Sequence, residues 1–500
     1  MTGGPAVTLG FDVGTSALKG VLLDGEANVV GAARSAYPTA RPLPGRAEQR
    51  PRDWIRSLER VCSALARIVP PERWKSIGLA GMIPSLVIVD QRGDPLGPAL
   101  TWEDGRAEEQ AAALRRRVGA RALYATTGQW VDGRYLAPMW RWVADHEPER
   151  AHRAATVLGA KDFLLQWFTG EFATDPSTAT GFGCYDLATG RWDKRIAALT
   201  GIGPPDGPEL PAVVASTRTF PIRRDAAERL GLPRSVRIAV GAADSVLSAE
   251  AVVGPATDGI VYIAGTSTAV MSFHDHMEPD ARHRYLVTPS STPGRWGYEM
   301  DLLSTGSAMR WCAALLGLGP RAESRLLRLA EVGSAEDDLV FLPYVSPGEQ
   351  GALWDPNLTG ALVGLTLRTG PAEVARALVD GIVLESRRCV SVLRSKGAGQ
   401  VIRATGGIAR SRWFRQLLAD ATGCDVAVQG MAPSVAAVGA AALVEPNVRE
   451  LLVAQAAKPT AVTHPDRSTA SDWDRRWRRH EEARTDFAAS RRRSTANQVT

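Results

Sequence analysis

The sequence predicts an α/β protein assembled from two similar halves, and three glycine-containing turns carry that expectation. The first lies near the start. Residues 7–11 read as a buried strand, 12–16 as a tight turn and 18–23 as a returning strand, written VTLGFDVGTSALKGVLLD. The second repeats the pattern about half a chain later, as Ile260-Val261-Tyr262-Ile263-Ala264, then Gly265-Thr266-Ser267, then Thr268-Ala269-Val270-Met271. The third is a strand at 401–405 closing on Gly406-Gly407 and leading into a helical segment that opens Ser411-Arg412-Trp413-Phe414.

Between these turns, strand and helix signals alternate. Residues 53–68 read as an amphipathic helix capped by Asp53 after Pro51, and 75–80 and 86–90 as strands around the loop Gly81-Met82-Ile83-Pro84-Ser85. Helices are expected over 106–117, 135–145 and 193–199, and a turn with an extended segment at Gly170-Glu171-Phe172-Ala173-Thr174-Asp175. A short strand at 237–241 turns at Asp244 into a helix over 245–252. The second half gives helices at 306–316, 320–331, 371–394, 411–422 and 433–443. The last of these is rich in alanine and contains Gly439, which permits close approach of a neighbouring backbone. Past residue 458 the chain becomes a polar, arginine-rich helix with Trp473 and Trp477 on one face, and from Ser490 it offers almost nothing to bury and reads as disordered. Three regions follow: 1–245, 246–457 and 458–500.

The chain has 500 residues, enough for two full cores, and a net charge of +5 that traces largely to its C-terminal arginines. That charge reads as a solvated helix face and points to no nucleic-acid partner. The five cysteines are scattered without metal-ligand spacing, as expected of buried thiols in a reducing cytoplasm. No stretch of about 20 apolar residues lacks charge, so no membrane span is expected. No basic leader with an apolar core precedes Val7.

The turns carry chemistry as well as architecture. A hairpin tip with an acid, a glycine and hydroxyls suits nucleotide phosphate. The amides of Gly14 and Gly265 approach the oxygens, Thr15, Ser16, Thr266 and Ser267 donate hydrogen bonds, and Asp12 suits a hydrated Mg²⁺. Lys19, just beyond the first tip, reads as solvated or as a phosphate contact. Gly406 and Gly407 before a helix starting at Ser411 suit a nucleotide too.

Taken in order, these motifs resemble the FGGY carbohydrate kinases, most closely the xylulokinase-like branch. The resemblance covers about residues 6–450. Besides the three turns it rests on Thr101-Trp102-Glu103-Asp104-Gly105-Arg106, Gly241-Ala242-Ala243-Asp244, Phe341-Leu342-Pro343-Tyr344, Trp354-Asp355-Pro356-Asn357 and Gly360-Ala361-Leu362-Val363-Gly364-Leu365. It implies two ribonuclease-H-like (actin-type ATPase) domains around a central cleft, sugar mainly against the first and ATP against the second. It further implies an ATP- and Mg²⁺-dependent kinase acting on a small sugar or polyol, with a homodimer left open. Asp244 becomes the expected general base, kept ionised by the start of its helix; its alternative is a helix cap alone. Trp102, Asp104 and Arg106 become candidates for the sugar wall, although Arg106 is equally suited to hold Asp104 in a structural pair. Glu349 is a weaker candidate.

Four departures from the branch stand out. The third-strand loop reads Met82-Ile83-Pro84 where xylulokinases carry Met-His, so an imidazole is replaced by proline at Pro84, beside Ile83. Ser245 follows the expected base in place of asparagine, Met139 stands where lysine is usual, and Gly348-Glu349-Gln350-Gly351 replaces G-E-R-T. The phosphoryl-transfer parts are kept while the sugar-facing parts change, which favours a working kinase with another sugar or polyol. The competing class is a catalytically inactive actin-fold sugar-binding or regulatory protein. A repressor would need a helix-turn-helix ahead of the first strand, and only a handful of residues stand there; Asp12, Thr15, Asp244 and Gly406-Gly407 would have no reason to persist in an inactive protein.

Overall fold

The computed structural model describes residues 5–205, 207–254, 259–346, 351–355, 358–428 and 434–496. Gly348, Glu349 and Gln350 therefore lie outside the described residues. In the first half, β1 (Val7–Val13), β2 (Ala17–Leu23) and β3 (Val29–Ala36) form an antiparallel meander. Helix α1 (Pro51–Ala66) covers it with Trp54, Leu58, Val61 and Leu65. β4 (Trp74–Gly81) runs parallel beside β1. After α2 (Leu136–His146), α3 (Ala160–Thr169) and α4 (Pro176–Thr180), the sheet is completed by β5 (Thr219–Pro221), β6 (Arg237–Ala239) and the two-residue β7 (Ala242–Ala243). The order is β5-β6-β4-β1-β2-β3, with β7 also pairing β4. β1 is buried on both faces, which is why its sequence runs apolar instead of alternating.

The second half repeats this plan. Helix α5 (Asp244–Val253) leads into β8 (Ile260–Ala264) and β9 (Thr268–His274), followed by β10 (Leu286–Pro289) and β11 (Trp296–Leu302). The long α6 (Pro371–Ser395) precedes β12 (Val401–Gly406), α7 (Arg412–Thr422) and β13 (Asp425–Val428). Then come α8 (Val435–Leu443) and β14 (Ala461–Thr463), giving the sheet order β10-β11-β9-β8-β12-β13-β14. In each half a run of antiparallel strands, three in the first and four in the second, is extended from its first strand by parallel neighbours: β4 and β6 in one, β12 and β13 in the other. The duplicated α/β architecture is thus present, with one hairpin tip of each half at the cleft.

Helix α8 ties the halves together. It comes from the second half but lies on the first sheet, packed against β1 and β4. A Cβ on Gly10 would fall 1.8 Å from the Ala437 carbonyl oxygen, and one on Gly78 1.9 Å from that of Ala440. On its other side a Cβ on Gly439 would fall 2.3 Å from the Leu247 carbonyl oxygen of α5. The small-residue run Ala436, Ala437, Gly439, Ala440 and Ala441 is therefore what lets a helix backbone touch both a sheet and another helix.

Several local expectations are corrected. α1 starts at Pro51 with Arg50 as its cap; Asp53 sits in the first turn and pairs with Arg56 instead of capping. The helix expected from 106 begins at Glu108, because Arg106 folds back onto Asp104. Asp244 is the first residue of α5, not the turn before it. The C-terminal segment is also more ordered and better docked than its composition implies. One helix, α9 (Ala470–Ala496), continues past Ser490. Its Trp473 is buried in the second core, and Trp477 stacks under the Arg388 guanidinium at 4.7 Å. His480, buried, bonds Glu385 at 2.7 Å, and Glu481 pairs with Arg388. Charged and polar groups of α9 are thus matched to partners on α6, which a solvated helix would not need.

Candidate active site

A cleft of about 480 Å³ opens between the halves, lined by both hairpin tips, the 82–84 loop, the start of α5, β11 and the start of α8. Gly14, Thr15, Ser16, Gly265, Thr266 and Ser267 all face it. The first tip is braced from beneath: Tyr37 donates to the Gly14 carbonyl, Gln49 to that of Thr15 at 2.6 Å, and the Trp102 indole N–H to Thr15 Oγ1 at 2.9 Å. The second tip is held by Ser307 N–H on the Thr266 carbonyl at 2.9 Å and by Arg310 on Thr266 Oγ1 at 3.3 Å. Gly406 has φ +101° and its Cβ position lies 2.0 Å from the Ala264 carbonyl oxygen, so only glycine fits where the third turn meets the second hairpin.

Asp12 sits near the end of β1, directly across from Lys19. Its Oδ2 is held by Lys19 Nζ at 3.0 Å and by the Ser434 hydroxyl at 2.9 Å, while its buried Oδ1 has no partner. An orphaned carboxylate oxygen in the same cleft as both hairpin tips fits a hydrated Mg²⁺, which takes one or two carboxylates and keeps several waters. Among the described residues no group of three or more His, Cys, Asp or Glu side chains is arranged to hold a metal by itself.

Asp244 faces the same space from the first turn of α5. Its Oδ1 accepts the Ser245 N–H at 2.9 Å. Burial, and then the charge of Asp12, push its carboxyl up to about 7; the Ser245 amide and Lys19 oppose this without reversing it. The expectation that the helix start keeps Asp244 fully ionised is therefore corrected: desolvation outweighs it.

The cleft is also lined by Ile83, Pro84, Trp102, Ser245, Gln129, Arg134 and Tyr135, with Thr288, Glu299 and Asp301 arriving from β10 and β11. Thr288 donates to Glu299 at 3.0 Å, and Tyr135 to Gln129 at 3.0 Å. Burial raises the Glu299 and Asp301 carboxyls; Asp301 adds to the effect on Glu299, and Arg134 opposes it on Asp301. Arg134 itself is held by both carboxylate oxygens of Asp132. Gln129 N–H₂ also reaches across to the Val287 carbonyl at 3.0 Å, so this wall is a seam between the halves.

Four expected residues do not line the cleft. Asp104 is fully buried away from the cleft, where it accepts the Ala47 N–H at 2.7 Å and Arg106 at 2.7 and 2.8 Å. Arg106 also bonds Glu48 at 2.6 Å. The pair is structural: it ties the Trp102 loop to the strand at Glu48–Gln49 and leaves no group for a sugar. Gly407 and Ser411 follow Gly406 and are not among the residues lining this cleft. Gly407 has open space at its Cβ position, and Ser411 caps α7 by accepting the Phe414 N–H at 3.2 Å. Sequence reasoning missed Ser434, Gln129, Arg134, Tyr135, Glu299 and Asp301.

Residues 7–251 match the N-terminal domain, and residues 260–444 the C-terminal domain, of the FGGY family of carbohydrate kinases. The chain is 28% identical over 419 residues to a xylulose kinase of Lactococcus lactis, with 82% of each chain covered. It is 27% identical over 437 residues to a gluconokinase of Bacillus subtilis, covering 84% of this chain and 83% of that one. The crystal structure of a xylulose kinase from Rhodospirillum rubrum superposes with a TM-score of 0.86 at 29% identity, over 97% of this chain and 99% of that one. With two matching domains, two hairpin tips on one cleft and a carboxylate between them, the chain belongs to the FGGY family of carbohydrate kinases and is an ATP-dependent carbohydrate kinase.

Proposed function

We propose that the protein transfers the γ-phosphoryl group of Mg²⁺-ATP to a hydroxyl of an uncharged sugar or polyol, with Asp244 as the base. The observation that carries this is the position of Asp244, in one cleft with both phosphate hairpins and with Asp12. Phosphoryl transfer asks for in-line placement, charge neutralisation and a base on the acceptor hydroxyl, and little else. Thr15, Thr266 and the amides of Gly14 and Gly265 would hold the β- and γ-phosphates, and Gly406, Gly407 and the turn before Ser411 the adenosine. Asp12 would hold Mg²⁺ through water, and the ion supplies neutralisation of phosphate charge. A carboxyl near 7 suits a general base, since enough is ionised at neutral pH and it still accepts a proton readily.

The acceptor end supports an uncharged substrate. Asp244, Glu299 and Asp301 line it, while Arg134 there is already paired with Asp132. At neutral pH an aldonate carboxylate would meet the ionised fraction of Asp244 and Asp301, Glu299 being raised to about 8. Neutral hydroxyls, by contrast, find acceptors in these carboxylates and in the hydroxyl oxygens of Thr288 and Tyr135, whose own protons go to Glu299 and Gln129. Xylulose is expected to be a poor substrate, because Pro84 and Ser245 stand where the xylulokinase-like branch carries His and Asn. Two lost hydrogen bonds at ~0.5–1.5 kcal/mol each lower kcat/KM by about 5- to 150-fold. The five buried free thiols support a reducing, cytoplasmic setting.

A coupled ADP-release assay across ketopentoses, ketohexoses, aldonates, tetritols and cyclitols tests the reading. A neutral sugar or polyol is expected to give the highest kcat/KM. D-xylulose or an aldonate at the top of the panel would overturn the acceptor argument, and no ADP release with any acceptor would overturn the kinase reading.

A further inference from the structure

Behind Asp244, outside the cleft, lies a chain of fully buried polar groups. Lys161, in the first turn of α3, places Nζ 2.7 Å from Asp162 Oδ1 and 3.0 Å from Asp175 Oδ1. Asp175 caps α4, accepting the N–H groups of Ser177 and Thr178. Its Oδ2 also takes the Ser177 hydroxyl proton at 2.5 Å and that of Ser216 at 3.3 Å. Having donated to Asp175, Ser177 Oγ turns its lone pair to the Ala243 N–H at 2.9 Å. Ala243 is the residue before Asp244. All of these side chains are 2% exposed or less.

The arrangement is costly for a purely structural role. A buried ammonium with two carboxylates loses hydration that well-packed apolar residues would not need. Burial acts to lower the Lys161 ammonium, yet Asp162 and Asp175 more than reverse this and keep it charged. The backbone it reaches is one that needs support. β7 is two residues long, and Gly241 before it turns at φ +79° with its Cβ position 1.7 Å from the Leu79 carbonyl oxygen. The segment carrying Asp244 therefore leaves β6 through a sharp bend and has little ladder to hold it. The Ser177 hydroxyl fills the place of a missing sheet partner for Ala243. The same turn of α3 supports the acceptor loop: a Cβ on Gly81 would lie 2.9 Å from Lys161 Cβ, and the Ala160 N–H donates to Ser85 Oγ at 2.9 Å.

We propose that Lys161, Asp175 and Ser177 are positioning residues that fix Asp244 relative to the acceptor loop, through the hydrogen bond from Ala243 to Ser177. The proposal rests on the reading of Asp244 as the base. Ser216 supplies an internal control. It is buried too and its hydroxyl bonds the same Asp175 oxygen, but Ser216 is bonded to the segment that carries Asp244 through its backbone carbonyl, which accepts the Gly241 N–H at 3.0 Å and is kept in an alanine variant.

The experiment compares Ser177→Ala, Ser216→Ala and Asp244→Asn for steady-state ADP release, KM for ATP and for the best acceptor, thermal midpoint, and the pH profile of kcat. Ser177→Ala is expected to lower kcat about 10- to 100-fold, as a small misplacement of a reacting group does, with both KM values within about threefold of the parent. The acid limb of its profile is expected to shift down toward the ordinary carboxylate range, because a loosened Asp244 gains water. Ser216→Ala is expected to keep kcat within about twofold whatever it loses in thermal midpoint. If Ser177→Ala does not fold, Asp175→Asn serves in its place with the same expected kcat loss at unchanged KM. The proposal is overturned by an unchanged kcat in the Ser177 or Asp175 variant, or by equal kcat losses in the two serine variants. An active Asp244→Asn would instead overturn the base reading beneath it.

Discussion

Lys19 and Asp12 face each other across the first hairpin, and their side chains meet at 3.0 Å. The contact occupies one carboxylate oxygen only. Ser434, which caps a helix more than four hundred residues later in the chain, shares that oxygen, and the other is left for a ligand.

This geometry separates a metal role from an ion-pair role. Asp12→Asn is expected to raise the half-saturating Mg²⁺ concentration for ADP release by about tenfold or more, since Mg²⁺ sites of this kind rest on one or two carboxylates. Lys19→Met removes the partner of one Asp12 oxygen but leaves the carboxylate and its free Oδ1 in place, and is expected to shift the Mg²⁺ midpoint much less. Mg²⁺ titration of both variants decides it; equal shifts would make Asp12 a structural anchor.

The Asp244 carboxyl, pushed up to about 7 by burial and by Asp12, sets a pH dependence. A base works only when ionised, so kcat/KM is expected to fall with unit slope below about pH 7. Removing the neighbouring charge lowers the carboxyl, so in Asp12→Asn, at saturating Mg²⁺, the acid limb is expected to move to lower pH. Profiles of kcat/KM, which report the free enzyme, check both the limb and the direction of its movement.

The three glycine turns are not equivalent as probes of nucleotide binding. Gly406 cannot take a side chain without meeting the Ala264 backbone, so Gly406→Ala is expected to lower the thermal midpoint as well as affinity. Gly265 is exposed, and its Cβ position meets only the Ser267 carbonyl oxygen, at 3.3 Å; Gly407 has open space. Gly265→Val and Gly407→Trp are therefore expected to weaken ATP binding about tenfold or more with little change in thermal midpoint. Calorimetric titration with a non-hydrolysable nucleotide, alongside melting curves, distinguishes binding loops from structural turns.

How much of the site is legible in the sequence follows from how each residue is delivered. Asp12 and the two hairpin tips lie in contiguous strand–turn–strand motifs, and Asp244 follows a strand, so their types and spacing reveal them. Glu299 and Asp301 alternate with buried Met300 on β11, a pattern that ordinarily marks the solvent face of a strand; here that face lines a cleft, which only the pairing of β11 with β9 and β10 makes visible. Ser434 reads as a helix cap and is one, and its second bond to Asp12 depends on α8 crossing to the other half. Asp104 misleads in the opposite direction: its motif is recognisable, but Arg106 two residues on consumes both of its oxygens.

The central claim is that Asp244 takes the acceptor proton. Steady-state ADP release by Asp244→Asn, measured with the best acceptor and together with ATP affinity, tests it most directly. The account predicts a fall in kcat of at least ~10²-fold with ATP binding near that of the parent. Turnover at the parent rate in a folded Asp244→Asn protein would contradict it.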